Sequence, residues 1–324
     1  ATGDSSTFLE IMDTMSKDLK GALFPNIGSG TYTNMTSMDA PLWFFWSLQN
    51  YIHYTGDKKT IQDRYLSKLR GIIEGYKEGT DFNIHMLPSG LISGGQEGIA
   101  LTWMDAITPD GPVTPRMGCP VEIQALWYNA LCFYHELSGE EEYLNLALQV
   151  KESFEREFWS WQHGYLADVV HGEEKDWSIR PNMIFATSLP YVILDEEKCD
   201  KVLELVKSKL VTPRGLRSLS PDDPGYKGYY FGNQISRDQA YHNGTIWAWL
   251  LGHFAEGYLK LHGKAAKIFV EKIIKGFDGV MTQYGVGTVA EIYDGDAPHR
   301  PKGAVSQAWS IAELLRMMDL VKQV

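Results

Sequence analysis

Apolar residues recur at helical spacing in ten segments, over residues 7–20, 39–55, 58–78, 120–138, 140–159, 180–194, 196–210, 243–261, 264–277 and 304–322. The connections between them alternate in length. Those near 56–57, at 139, near 195 and at 262–263 are only a few residues long. Gly56, Gly139 and Gly263 punctuate three of them, as residues that end helices do. Those near 21–38, 79–119, 160–179, 211–242 and 278–303 are long and rich in Gly, Pro and Asp. Loops of that length within a compact domain are uncommon and usually functional. Segments 39–55 and 120–138 are apolar nearly all round, which predicts buried helices. Segments 58–78, 140–159 and 264–277 carry a charged face, which predicts outer ones.

This alternation predicts an all-α single domain over residues 1–324, a toroid of helical hairpins whose long loops open at one rim. Thr2-Gly3-Asp4-Ser5-Ser6-Thr7 echoes Thr55-Gly56-Asp57-Lys58-Lys59-Thr60. The second copy follows a buried helix, so the first is expected to follow one as well. On that reading the toroid is short of about one hairpin at its N-terminus, and the chain is the C-terminal part of a longer one.

Composition narrows the partners. Acidic side chains outnumber basic ones, 41 to 30, for a net charge of −11. Nucleic acid and anionic membrane are therefore not expected as partners, because phosphate binding needs clustered positive charge. The run Lys198–Lys209 reads as a solvated helix face. No apolar run approaches the roughly 20 residues that span a bilayer. Cys119, Cys132 and Cys199 are odd in number and far apart, which favours a reducing, cytoplasmic compartment. Ten Trp and 17 Tyr supply flat faces that suit either a core or a sugar ring.

The candidate chemistry is carried by carboxylates. Asp105 stands in Leu101-Thr102-Trp103-Met104-Asp105-Ala106, and Glu291 in Val289-Ala290-Glu291-Ile292-Tyr293-Asp294. Both acids sit among apolar neighbours in long connections. Burial of that kind keeps one acid protonated. A protonated acid and an ionised partner about 6.5–9.5 Å apart suit hydrolysis of a glycosidic bond with inversion. Each also reads as a turn or edge residue bonded to backbone. Asp39 reads as an N-cap or a binding residue, and Glu122 as a helix-dipole partner or a functional acid. Trp247 and Trp249, two residues apart, are expected on opposite helix faces, one toward a pocket and one toward the core. His242 is expected at a helix start. No HExxH or cysteine cluster is present, so no protein-bound metal is expected. Gly28-Ser29-Gly30 lacks the context of a phosphate loop.

Several ordered stretches resemble the amylo-α-1,6-glucosidase region of glycogen debranching enzymes. They are Thr102–Ala106, Pro115–Ile123, Ala125–Ala130, Arg180–Asn182, Leu219–Pro224, Tyr241–Thr245, Glu291–Asp296 and Gln307–Ser310. The resemblance implies an (α/α)6 toroid that hydrolyses single α-1,6-linked glucose stubs on glycogen or another branched α-glucan, with inversion and without a cofactor. It implies Asp105 as general acid and Glu291 as general base. It implies Asp39, Trp43, Trp103, Glu122, Trp127, His242, Trp247 and Gln307 as the lining of the sugar pocket. Family members usually carry a basic residue where Cys119 stands. They also carry an upstream β-rich domain and a Trp-Gly-Arg-Asp-type motif that this chain lacks. Other classes stay open: a toroid hydrolase of another glucan, a carbohydrate-binding or inactive fragment, and a sugar epimerase that would rest on histidine.

Overall fold

The computed structural model describes residues 3–26 and 35–324; Thr2 and Gly28-Ser29-Gly30 lie outside them. Helices dominate. In chain order they are α1 (Ser5–Lys17), α2 (Ala40–Thr55), α3 (Lys58–Glu78), α4 (Val121–Ser138), α5 (Glu141–Phe158), α6 (Phe185–Ser188), α7 (Glu196–Lys209), α8 (Gln234–Tyr241), α9 (Leu250–His262), α10 (Lys264–Gly276) and α11 (Ala308–Gln323). Helices α2–α3, α4–α5 and α9–α10 are joined by one or two residues, as the short connections predict. Gly56 and Gly139 end α2 and α4 in the left-handed conformation. The echoed hexapeptides cap their helices alike. Asp4 accepts from the Thr7 amide at 3.1 Å and Asp57 from the Thr60 amide at 3.0 Å.

The charged-face reading of the outer helices holds. In α4 nearly every side chain is buried, whereas α3, α5 and α10 bury one stripe each. α4 packs against α2, α3, α5 and α6, and α9 packs against α6, α7, α10 and α11. These two apolar helices are the centre of the core.

Three expectations change. The chain is not purely α. Short antiparallel strands occupy the long connections, including a five-stranded sheet of Val211–Thr212, Gly215–Arg217, Ile246–Trp247, Ile292–Tyr293 and Pro301–Lys302. Loops that cover a core must pair their own backbone groups, and strand bridges do so. The segment 180–194 is not one helix but a 3-10 turn, Pro181–Ile184, running into the single turn of α6. Pro190 forces Leu189 into extended backbone, ψ 158°, and stops the helix there. The segment 243–261 begins as a turn and the short strand Ile246–Trp247, and α9 starts only at Leu250.

Candidate active site

The loop before Asp105 is tied on both sides. The Met38 amide donates to the Leu101 carbonyl at 2.9 Å, and the Tyr76 hydroxyl donates to the Met38 carbonyl at 2.9 Å. The Trp103 indole donates to Asn182 Oδ1 at 2.8 Å, and Thr114 Oγ1 donates to the Met104 carbonyl at 3.2 Å. Beneath this loop lies a buried ionic cluster. Arg116 bonds both oxygens of Glu122, Asp168 Oδ2 at 2.8 Å and Thr102 Oγ1 at 3.2 Å. Asn182 Nδ2 donates to Asp168 Oδ1 at 2.7 Å, which joins the cluster to Trp103. One guanidinium faces two carboxylates, and burial together with the excess negative charge raises Glu122 above its ordinary range; hydrogen bonds to both acids are the condition under which such a buried cluster is tolerated.

Asp105 emerges from this stretch with its side chain open to solvent. Surrounding protein nevertheless strips much of its hydration, and the carboxyl is pushed up to about 6, with the charges of Asp39 and Glu291 adding to the rise. The structure therefore brings these three acids into one electrostatic neighbourhood. Asp39 itself is buried, and desolvation raises it above the ordinary carboxylate range. It occupies the N-cap position of α2 without capping it. Ser37 donates to Asp39 Oδ1, and the Ala40 amide bonds to Ser37 Oγ instead, at 3.1 Å. Asp39 is thus not spent on the helix end.

Glu291 lies beside the last two strands of the five-stranded sheet. The Tyr241 hydroxyl donates to its Oε1 at 2.6 Å and the Ala304 amide to its Oε2 at 2.9 Å. Gly303, at φ 67°, lets the chain pass against it; a Cβ there would stand 2.2 Å from Glu291 Oε2. Tyr241 is held in turn by the Trp247 indole, which donates to its carbonyl at 3.0 Å.

Between the acids the aromatic side chains meet edge to face. Trp103 stands 5.3 Å from each of His242, Trp247 and Trp249. Trp309 stacks on Trp249 at 5.2 Å and meets Trp247 edge-on. Trp43 closes the far side, 6.3 Å from Trp249. Trp247 and Trp249 therefore do not diverge as expected. Trp247 is on a strand, where residues two apart share a face, and both reach Trp103 and Trp309. His242 does not start a helix; it follows α8. It is fully buried and stacked on Trp247 at 5.2 Å, and burial drives it well below its usual range, so the ring is neutral.

The predicted lining is thus brought together in part. Asp39, Trp43, Trp103, Asp105, His242, Trp247 and Glu291 converge. Gln307 caps α11 through its own Oε1, two residues before Trp309. Glu122 lies one layer below, paired with Arg116. Trp127 is wholly in the core, stacked on Tyr76 and donating to the Gly90 carbonyl at 3.1 Å; around it on α4 only Tyr128 is partly exposed. Cys119 is likewise buried, its thiol pushed up to about 11. Sequence reading leaves Ser37, Asp168 and Tyr241 unassigned. Only the Trp-rich context near Tyr241 hints at it. Among the described residues no cluster of His, Cys, Asp or Glu is arranged to hold a metal ion, and no helix is long and apolar enough to cross a membrane. Two clefts of about 390 and 520 Å³, sharing Trp46, Asn50, Tyr54 and Arg316, lie toward the C-terminal end of α2 and contain neither Asp105 nor Glu291.

The chain is 23% identical over 346 aligned positions to the glycogen debranching enzyme of Saccharomyces cerevisiae. That alignment covers 77% of this chain and 22% of the yeast protein, so the chain spans about a fifth of its relative's length. The family described as amylo-alpha-1,6-glucosidase matches residues 7–316. With nearly the whole length matched, the chain belongs to the amylo-alpha-1,6-glucosidase family.

Proposed function

We propose that this chain is the catalytic domain of a glycoside hydrolase that removes single α-1,6-linked glucose stubs from glycogen-type limit dextrins by inverting acid–base catalysis. Asp105 protonates the leaving oxygen and Glu291 activates the attacking water. The observation that carries this reading is the unequal treatment of the two acids. Asp105 is pushed up to about 6, within reach of neutral pH. Glu291 uses both oxygens as acceptors, as an ionised carboxylate does. Trp103, Trp43 and Trp309 offer apolar faces to a sugar ring, and Asp39 offers a carboxyl for its hydroxyls. His242, held neutral and walled in by Trp103 and Trp247, supports the hydrolase over an epimerase that would need an accessible histidine. The alternation of short and long connections supports a toroid of helical hairpins within a single domain. A branched glucan substrate and the buried thiols support a cytoplasmic setting.

The test is free glucose released from a dextrin bearing single α-1,6 stubs. Loss of two or more orders of magnitude in both Asp105→Asn and Glu291→Gln is expected. Dextrin binding without any glucose release by the unaltered chain would restrict this function to a longer parent protein.

A further inference from the structure

Glu291 is held by two donors of different kind. The Ala304 amide, on Oε2 at 2.9 Å, belongs to the backbone. The Tyr241 hydroxyl, on Oε1 at 2.6 Å, is the one side-chain donor to Glu291 among the described residues. Tyr241 neither gives nor takes a proton in the acid–base chemistry, yet its own setting is tightly built.

Tyr241 is the last residue of α8. Its carbonyl accepts from the Trp247 indole at 3.0 Å and from Thr245 Oγ1. The turn that follows is pinned by the buried Arg180, which donates to the His242 carbonyl at 2.6 Å and to Asn243 Oδ1 at 2.9 Å. The Tyr241 ring meets Tyr230 at 5.7 Å and both His242 and Trp247 at 4.8 Å. A side chain gripped at its backbone and around its ring presents its hydroxyl in a set direction before any substrate arrives. Burial, the bond to Glu291 and the charges of Glu291 and Asp105 push that hydroxyl well above its ordinary range. It therefore keeps its proton and donates.

The last torsion of a glutamate is broad, so an unsupported carboxylate sweeps its oxygens through many directions. An inverting base must aim one oxygen at a water on the far face of the sugar. With Oε2 against the Gly303–Ala304 backbone and Oε1 on Tyr241, the carboxylate plane is fixed. Each oxygen still has a lone pair for a further partner. We propose that Tyr241 is a positioning residue whose hydroxyl fixes the plane of the Glu291 carboxylate and so aims it at the attacking water. The aim at water rests on the hydrolase reading above; the tie between the two side chains does not.

The experiment compares Tyr241→Phe, which removes the hydroxyl and keeps the ring, with the unaltered full chain. On stub-bearing dextrin and on α-glucosyl fluoride alike, kcat is expected to fall about 10–100-fold with KM within about twofold, because both substrates need the base. The acid-side limb of kcat/KM is expected to move to higher pH by roughly half a unit to one unit, because a donated hydrogen bond favours the ionised carboxylate. The same titration is read without turnover from the Glu291 carboxyl resonance of chain labelled with carbon-13 glutamate, assigned by its loss in Glu291→Gln. Unchanged kcat with an unmoved limb would overturn the proposal, as would a loss confined to KM, which marks a sugar contact. If the unaltered chain turns over neither substrate yet the Glu291 resonance titrates at higher pH in Tyr241→Phe, the tie stands and the hydrolase reading falls; an unmoved resonance overturns the tie itself.

Discussion

Raising the pH from 5 to 8 should switch off stub cleavage through one proton. Asp105 sits at about 6 instead of its ordinary 3.8. At pH 7 an acid of pKa 6 keeps its proton about one tenth of the time, and one of 3.8 less than about one thousandth. The setting thus raises the working fraction by about a hundredfold. Because a general acid must be protonated in the reacting form, kcat/KM on dextrin is expected to fall about tenfold per pH unit above 6. Asp39→Asn removes one of the charges that raise Asp105, so this limb should move to lower pH. Fluoride leaves without a proton. Initial rates on α-glucosyl fluoride across the same range should therefore lack the limb. Asp105→Asn should slow stub release by about 10²–10⁴-fold while keeping most fluoride turnover. A shared limb for both substrates, or equal loss of both in Asp105→Asn, would refute the role of Asp105 as the acid.

Other consequences can be checked on stability as well as rate. Between about pH 4 and 6 the folded chain holds a proton on Asp105 that the unfolded chain releases, so stability from this group falls as pH rises through that window. Asp105→Asn is expected to raise the thermal midpoint at pH 7.5 by roughly 1–3 °C, discounted for the exposure of the group, and to leave it unchanged at pH 3.5; equal shifts at both would remove the titration as cause. Gly303→Ala places a methyl against Glu291 Oε2 at a left-handed residue, and an ångström-scale displacement of the base is expected to cost about 10²-fold in glucose release; a normal rate would show that Glu291 tolerates displacement. Arg116→Met leaves Glu122 and Asp168 uncompensated in the interior, which costs about 3–5 kcal/mol in urea unfolding; a loss below about 1 kcal/mol would contradict the cluster's role in holding the loop before Asp105.

What the sequence makes legible, and what it hides, follows from how local each signal is. Helix α3 begins and ends where its pattern does, because Asp57 caps it through its own side chain and a charged face alternates with a buried one. Helix α8 is invisible to the same reading. Its eight residues are mostly polar and it bears just one buried side chain, Ala240. The apolar run around Trp247 has helical composition, yet it pairs with strands more than 25 residues away on both sides, Gly215–Arg217 and Ile292–Tyr293. No local period records that. The candidate acids are legible for the opposite reason: Asp105 and Glu291 are charged residues amid apolar neighbours. The supports they depend on are long-range. Tyr241 meets Glu291 from 50 residues away, and Asp168 meets Arg116 from 52. Asp168 leaves no mark at its own position, and Tyr241 only its Trp-rich context.

The most direct test of the central claim is the anomer first formed. Proton NMR of a stub-bearing dextrin during the first turnovers should show β-glucose appearing before mutarotation, if Asp105 and Glu291 work as an inverting pair on an α-linkage. Initial release of α-glucose would contradict it.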